Sequence, residues 1–332
     1  MIRRPAVLAL PVLLLVAGLG ACSSDDGGDG SASGTPTVVV TTSILGDVVA
    51  NVVGEAAEVE VLMPPGVDPH EFELSAAQAA QLQEADAIVA NGLGFEAGMT
   101  DALEAAESAG VPLYEVAPDL DPLPYAEGAH DHAHDEEHTE EGDTTHDEEH
   151  TEEGGLDPHV FTDPARMADG TENLAAALGD AVPALATDEV AAQASAYAEE
   201  LRAVDAAVEE QLAAIPDDRR VLVTNHEVFA YFADRYGFEV VGTVIPGGTT
   251  LAEPSSQELS DLADTIREND VPAIFADATS PTDLADALAD EEGVDVEVVE
   301  LYSESLGEPG SGAETYVAMV ESNAAAITDA LS

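Results

Sequence analysis

Residues 188–216 read DEVAAQASAYAEELRAVDAAVEEQLAAIP, and the fold turns on how this stretch is placed. Val190, Tyr197, Leu201, Val204, Val208, Leu212 and Ile215 recur at steps of three, four or seven, the spacing of one apolar helix face. Thr187 or Asp188 can cap its start and Pro216 stops it, so the spacing predicts an unbroken helix of about 40 Å at 1.5 Å per residue. On either side, short β-branched runs alternate with alanine-rich stretches of helical character, the pattern of βα units around parallel sheets. Strands are predicted at 37–44, 59–64, 86–92 and 111–117 before the helix, and at 220–226, 238–245, 271–277 and 296–302 after it. The expectation is an α/β protein of two lobes of similar build, 37–186 and 217–332, each a four-stranded, mainly parallel sheet flanked by helices. The helix of 187–216 then joins them as a stiff connector; a core helix of one lobe is the alternative reading.

Ahead of the first lobe, Arg3 and Arg4 precede AVLALPVLLLVAGLG, which is too short for a comfortable membrane span and has the form of a secretory signal. The run ends in Leu19-Gly20-Ala21-Cys22, which resembles a bacterial lipobox, with residues 1–21 removed and Cys22 lipidated. Cys22 is the only cysteine, so no intrachain disulfide can form. A Ser/Gly/Asp-rich tether, 22–36, follows. An exported protein, lipid-anchored to the outer face of the cytoplasmic membrane, is the expectation.

The 332 residues carry 69 acidic groups against eight basic ones, all arginine, for a formal charge of −61. Such a field repels nucleic acid and anionic headgroups and draws cations, which argues against nucleic-acid binding. A saline habitat or compositional bias is the plainer reading of the acidity. The excess peaks at about 127–155, where HDEEHTEEG occurs twice, at 134–142 and 146–154. This segment lacks aliphatic anchors and is expected to be a disordered surface loop, its histidines (His130, His132, His134, His138, His146 and His150) gathering zinc loosely. An acidic low-complexity insertion is the alternative.

Three histidines stand outside that segment. His70 lies in GVDPHEFE after the second predicted strand, His159 in LDPHVFTDP, and His226 in VTNHEVFAYF at the end of the fifth. Carboxyl ends of strands are where open α/β sheets bind ligands. Asp-Pro-His occurs twice, and the proline stiffens the backbone that presents each ring. Three imidazoles plus a carboxylate suit zinc, although any one of these histidines taken alone reads as a surface or capping residue.

In this order, GVDPHEFELSAAQ (66–78), LDPHVFTDPARM (156–167) and TNHEVFAYFADRYG (224–237), behind a lipobox, resemble the metal-binding solute receptors of zinc and manganese ABC importers, the cluster A-I or zinc-uptake-receptor-like family. The resemblance covers the chain from Thr37 to the end. It implies two pseudo-symmetric lobes joined by a rigid backbone helix, a metal in the cleft between them, and delivery to an ABC permease with its ATPase, the receptor being a monomer. Carried over, the ligands are His70, His159 and His226, and histidine in the third position is similar to zinc-type receptors, where manganese receptors tend to carry glutamate. The family's fourth ligand is often aspartate after the last strand; here LYSESLGEPG offers Glu304, with Asp277 of FADAT or a water as competitors. Asp277 is otherwise expected to orient a histidine or to cap its strand, and Glu71, Glu73 and Glu227 stand beside ligand histidines. Zn²⁺ is the expected cargo, with Mn²⁺ or iron as alternatives on the same fold. A zinc-dependent extracellular hydrolase is disfavoured because neither HExxH nor G-x-S-x-G is present. An adhesin or extracellular zinc buffer stays open.

Overall fold

The computed structural model describes residues 34–125, 155–291, 294 and 296–332. Cys22 with its leader, and the six histidines between 130 and 150, lie outside the described residues. Strands β1 (Thr37–Val40), β2 (Glu58–Val61), β3 (Ala87–Ala90) and β4 (Leu113–Glu115) form one parallel sheet in the order β2-β1-β3-β4. Strands β5 (Val221–Thr224), β6 (Glu239–Thr243), β7 (Ala273–Asp277) and β8 (Glu297–Leu301) form a second with the same order, β6-β5-β7-β8, again all parallel. Each sheet thus reverses its winding between its first and third strands, which opens a crevice above their carboxyl ends. The helices are α1 (Ser43–Val53), α2 (Ala76–Glu84), α3 (Thr100–Ser108), α4 (Pro164–Ala181), α5 (Asp188–Leu212), α6 (Ala230–Tyr236), α7 (Ser256–Glu268), α8 (Asp283–Ala289) and α9 (Tyr316–Leu331).

All eight strands fall where the sequence predicts them, but most stop early. After β1 the Thr42 hydroxyl accepts the Leu45 N–H and caps α1, so residues predicted as strand up to 44 are already turning into helix. After β3, Gly92 adopts a φ of 84° and breaks the extended run.

Alternate strand residues feed different cores. Val38, Val40, Ala87 and Val89 of the first sheet, and Leu222, Ala273 and Phe275 of the second, join one central core, whereas Val39 and Ile88, and Val223 and Ile274, face two separate outer cores. Strands covered on both faces read as continuous apolar runs, which explains why their signal was strong. The central core is shared by α1, α4, α5, α6 and α9, so the two sheets are built on a single interior.

Helix α5 lies within that interior. Thr187 caps it by accepting the Val190 N–H at 3.2 Å, and its 25 residues span about 37 Å at 1.5 Å each. It ends at Leu212, short of Pro216, and buries Val190, Tyr197, Leu201, Val204, Val208 and Leu212 against α1, α4 and α9. Polar ties supplement the packing: the Tyr197 hydroxyl donates to Asp47 Oδ2 of α1 at 3.3 Å, and the Tyr236 hydroxyl and Arg235 of α6 both donate to Asp205.

Residues 126–154 leave and rejoin the described chain at one narrow stem. Pro124 and Leu156 form an antiparallel bridge, Tyr125 N–H donates to the Gly155 carbonyl at 3.2 Å, and Asp157 N–H donates to Leu123 at 2.8 Å.

Candidate metal centre

Each member of the centre is delivered by the end of a regular element. His70 lies in the loop after β2, His159 heads the 3-10 turn Val160–Thr162 that leads into α4, His226 follows β5, and Glu304 follows β8. All four are buried, His159 and His226 completely. Glu304 Oε1 stands 2.8 Å from His70 Nε2, 3.1 Å from His226 Nε2 and 3.3 Å from His159 Nε2. One potential ligand atom from each of the four lies within 4.8 Å of every other. The three imidazoles meet edge to face, with centroids 5.3 to 6.0 Å apart.

The Asp-Pro-His motifs carry more than a stiff proline. In both, the aspartate side chain accepts the N–H of the histidine two residues on: Asp68 Oδ1 from His70 and Asp157 Oδ1 from His159, each at 2.8 Å. Proline has no N–H to compete, so the short turn closes on the histidine. Asp157 Oδ1 also lies 2.7 Å from His159 Nδ1. This bond places the ring's N–H on Nδ1 and leaves Nε2, facing the centre, as the lone-pair nitrogen of the neutral ring. Asp68 Oδ2 accepts from the Thr250 hydroxyl at 2.7 Å, which ties the His70 loop to the second half of the molecule. Sequence reasoning credited the prolines and passed over both aspartates, although their repetition two residues before a histidine was the available signal.

Charge is arranged around the same atoms. Burial opposes ionisation of Glu304, but the three imidazoles more than offset it and hold its carboxyl well below the usual carboxylate range. Burial likewise favours neutral His159, yet Asp157 and Glu304 on its two nitrogens raise it to about 9. A divalent cation among the three Nε2 atoms would meet the ionised carboxylate of Glu304 directly.

Of the two parts expected of Asp277, orienting a histidine or capping its strand, its hydrogen bonds are those of the cap. It closes β7 and is 1% exposed, and its hydrogen bonds go to the Ser303 hydroxyl and to the Thr279 N–H and hydroxyl, not to a histidine. It therefore braces the backbone next to Glu304. Burial first, and the Glu304 charge second, raise its carboxyl to about 6. Glu71 and Glu73 are exposed, and Glu227 is half-buried beside His226. Sequence reasoning also missed Asn91, Phe95 and Glu96, which lie under the histidines; Phe95 meets the rings of His70 and His159 edge-on at 5.5 and 5.7 Å. Among the described residues, Glu304 Oε2 and His226 Nδ1 are buried without a hydrogen-bond partner.

Residues 38–330 match the family model described as zinc-uptake complex component A, periplasmic (ZnuA). The manganese-binding lipoprotein MntA of Halalkalibacterium halodurans is 30% identical over 97% of this chain and 96% of its own length. The zinc-binding protein TroA of Treponema pallidum is 31% identical over 91% of each chain. A solved structure of the periplasmic zinc-binding protein TroA from Treponema pallidum superposes with a TM-score of 0.76 at 31% identity, covering 90% of this chain and all of that one. With two parallel sheets, a buried three-histidine, one-glutamate centre and a match along nearly its whole length, this chain belongs to the ZnuA family of non-enzymatic, metal-binding solute receptors of zinc and manganese ABC importers.

Proposed function

We propose that this protein is a zinc receptor that captures Zn²⁺ between His70, His159, His226 and Glu304 and hands it to an ABC permease. The observation that carries this is the set of distances around Glu304 Oε1, at 2.8, 3.1 and 3.3 Å from the three Nε2 atoms. Tetrahedral zinc with bonds of 2.0 to 2.1 Å separates neighbouring ligand atoms by about 3.3 Å, a spacing the three oxygen–nitrogen distances approach from below. Nitrogen-rich, four-donor sets favour zinc over manganese, which takes more oxygens and a higher coordination number. The relative TroA is named for zinc. Delivery to a permease rests on the family's place in an uptake complex. Anchoring through Cys22 rests on the lipobox-like run and on relatives named lipoproteins. Histidines 130–150 are assigned to loose zinc collection, on the strength of their doubled motif.

Manganese as cargo is the second reading. A bidentate Glu304, using its unpartnered Oε2, would raise the donor count to five, and the relative MntA is named for manganese. Competition titration of the purified protein decides between them. Zinc should exclude a large excess of manganese from the tight site, and His226→Ala should abolish tight binding. Manganese holding its place against equimolar zinc would install the second reading, and full zinc affinity in His226→Ala would refute both.

A further inference from the structure

Directly below the histidines, residues 91–96, NGLGFE, form a turn with three successive left-handed residues: Gly92 (φ 84°), Leu93 (φ 55°) and Gly94 (φ 81°). Leucine rarely adopts such a backbone, which persists only where its surroundings over-determine it. Glu96 supplies the constraint. Its carboxylate is 3% exposed; Oε1 accepts the Asn91 N–H at 2.6 Å and the Thr41 hydroxyl at 2.7 Å, and Oε2 accepts the Gly92 N–H at 3.1 Å. One side chain thus closes the turn onto its own start and fastens it to the residue after β1, across the crevice where the sheet reverses.

The contacts this turn makes reach both Asp-Pro-His loops. Asn91 Nδ2 donates to the Pro158 carbonyl at 2.9 Å, immediately before His159. Phe95, 1% exposed, sets its ring against His70 and His159. Gly98 passes so close under the His70 loop that a Cβ there would stand 2.2 Å from the Phe72 carbonyl oxygen. The turn is a floor for two of the three imidazoles, and its shape is set by a carboxylate that touches neither.

Resting on the reading of the histidine–glutamate centre as a tight metal site, we propose that Glu96 is a positioning residue for metal capture. By clamping residues 91–96 it fixes the spacing of His70 and His159 before the cation arrives, so binding does not have to order them. The test is Glu96→Gln, which keeps the size of the side chain but puts an amide donor against the backbone N–H groups, with Co²⁺ as a spectroscopic stand-in for Zn²⁺. The variant should bind zinc roughly 10- to 100-fold more weakly, as for other groups that orient metal ligands, and its Co²⁺ absorption bands should shift. Phe95→Leu leaves the clamp intact and removes the ring from under both histidines, and it should shift the same bands if Glu96→Gln does not fold. A Glu96→Gln protein with a lowered melting temperature but zinc affinity within twofold and unchanged bands would make Glu96 a fold residue only. Absence of tight zinc binding or Co²⁺ bands in the unsubstituted protein would instead strike the reading of the centre itself.

Discussion

Asp157 acts on His159 twice, through the Nδ1–H of the ring and through the backbone N–H, and the proton the metal must displace is the other ring proton, on Nε2 facing Glu304. With His159 raised to about 9, the metal-free protein carries that proton at neutral pH. Zinc uptake should therefore release about one proton per ion from this residue near pH 7, and the release should vanish as pH rises past 9; calorimetry in buffers of different ionisation heat measures it. Linkage gives the companion sign: a raised value stabilises the metal-free fold fully below the ordinary 6.5, and that contribution disappears as pH climbs through about 9. Metal-free melting temperature should fall across this window while zinc affinity rises. Asp157→Asn keeps the acceptor but loses the charge, so it should weaken zinc about 10- to 100-fold and shrink the proton release, both readable in the same titrations. Not all of this was legible in the sequence. His70 and His226 declare themselves by their place after strands, His159 by its Asp-Pro-His motif and Glu304 by the family resemblance, whereas the donors that make Glu96 a clamp include Thr41, 55 residues away, and no local pattern announces them. Asp277 left two readings open for a related reason: an acid at a strand end can face either neighbour, and only the packing of β8 beside β7 brings Ser303 to it.

Among the elements, α5 was the most legible, because its apolar period continues over its full length and both outcomes, connector or core helix, require the same face. Its surroundings were not legible, since spacing identifies a buried face without saying what covers it. The structure covers it with α1, α4 and α9, which draw on both halves of the chain. Leu201, with no exposed surface, sits midway along that face. Leu201→Ala should cost about 2 to 5 kcal/mol. Because the core is common to both sheets, unfolding in urea should stay a single transition with an earlier midpoint. Two separated transitions would mean that the sheets are independent, contrary to the packing seen here.

For the whole molecule, a formal charge of −61 sets how a cation arrives rather than how tightly it is held. The zinc association rate, followed by stopped flow, should fall steeply as salt shortens the screening length from about 30 Å at 0.01 M to about 8 Å at 0.15 M. The dissociation rate should change far less, because the histidine–glutamate centre is buried. The narrow stem at Pro124 and Leu156 has a consequence for insertions and deletions. A chain that departs and returns at one bridge can gain or lose residues between those points for a closure cost of only about 0.6 kcal/mol per doubling of length. A change of length between Tyr125 and Gly155 should accordingly leave the bonds of the stem, and the Asp157–His159 pair just beyond it, in place.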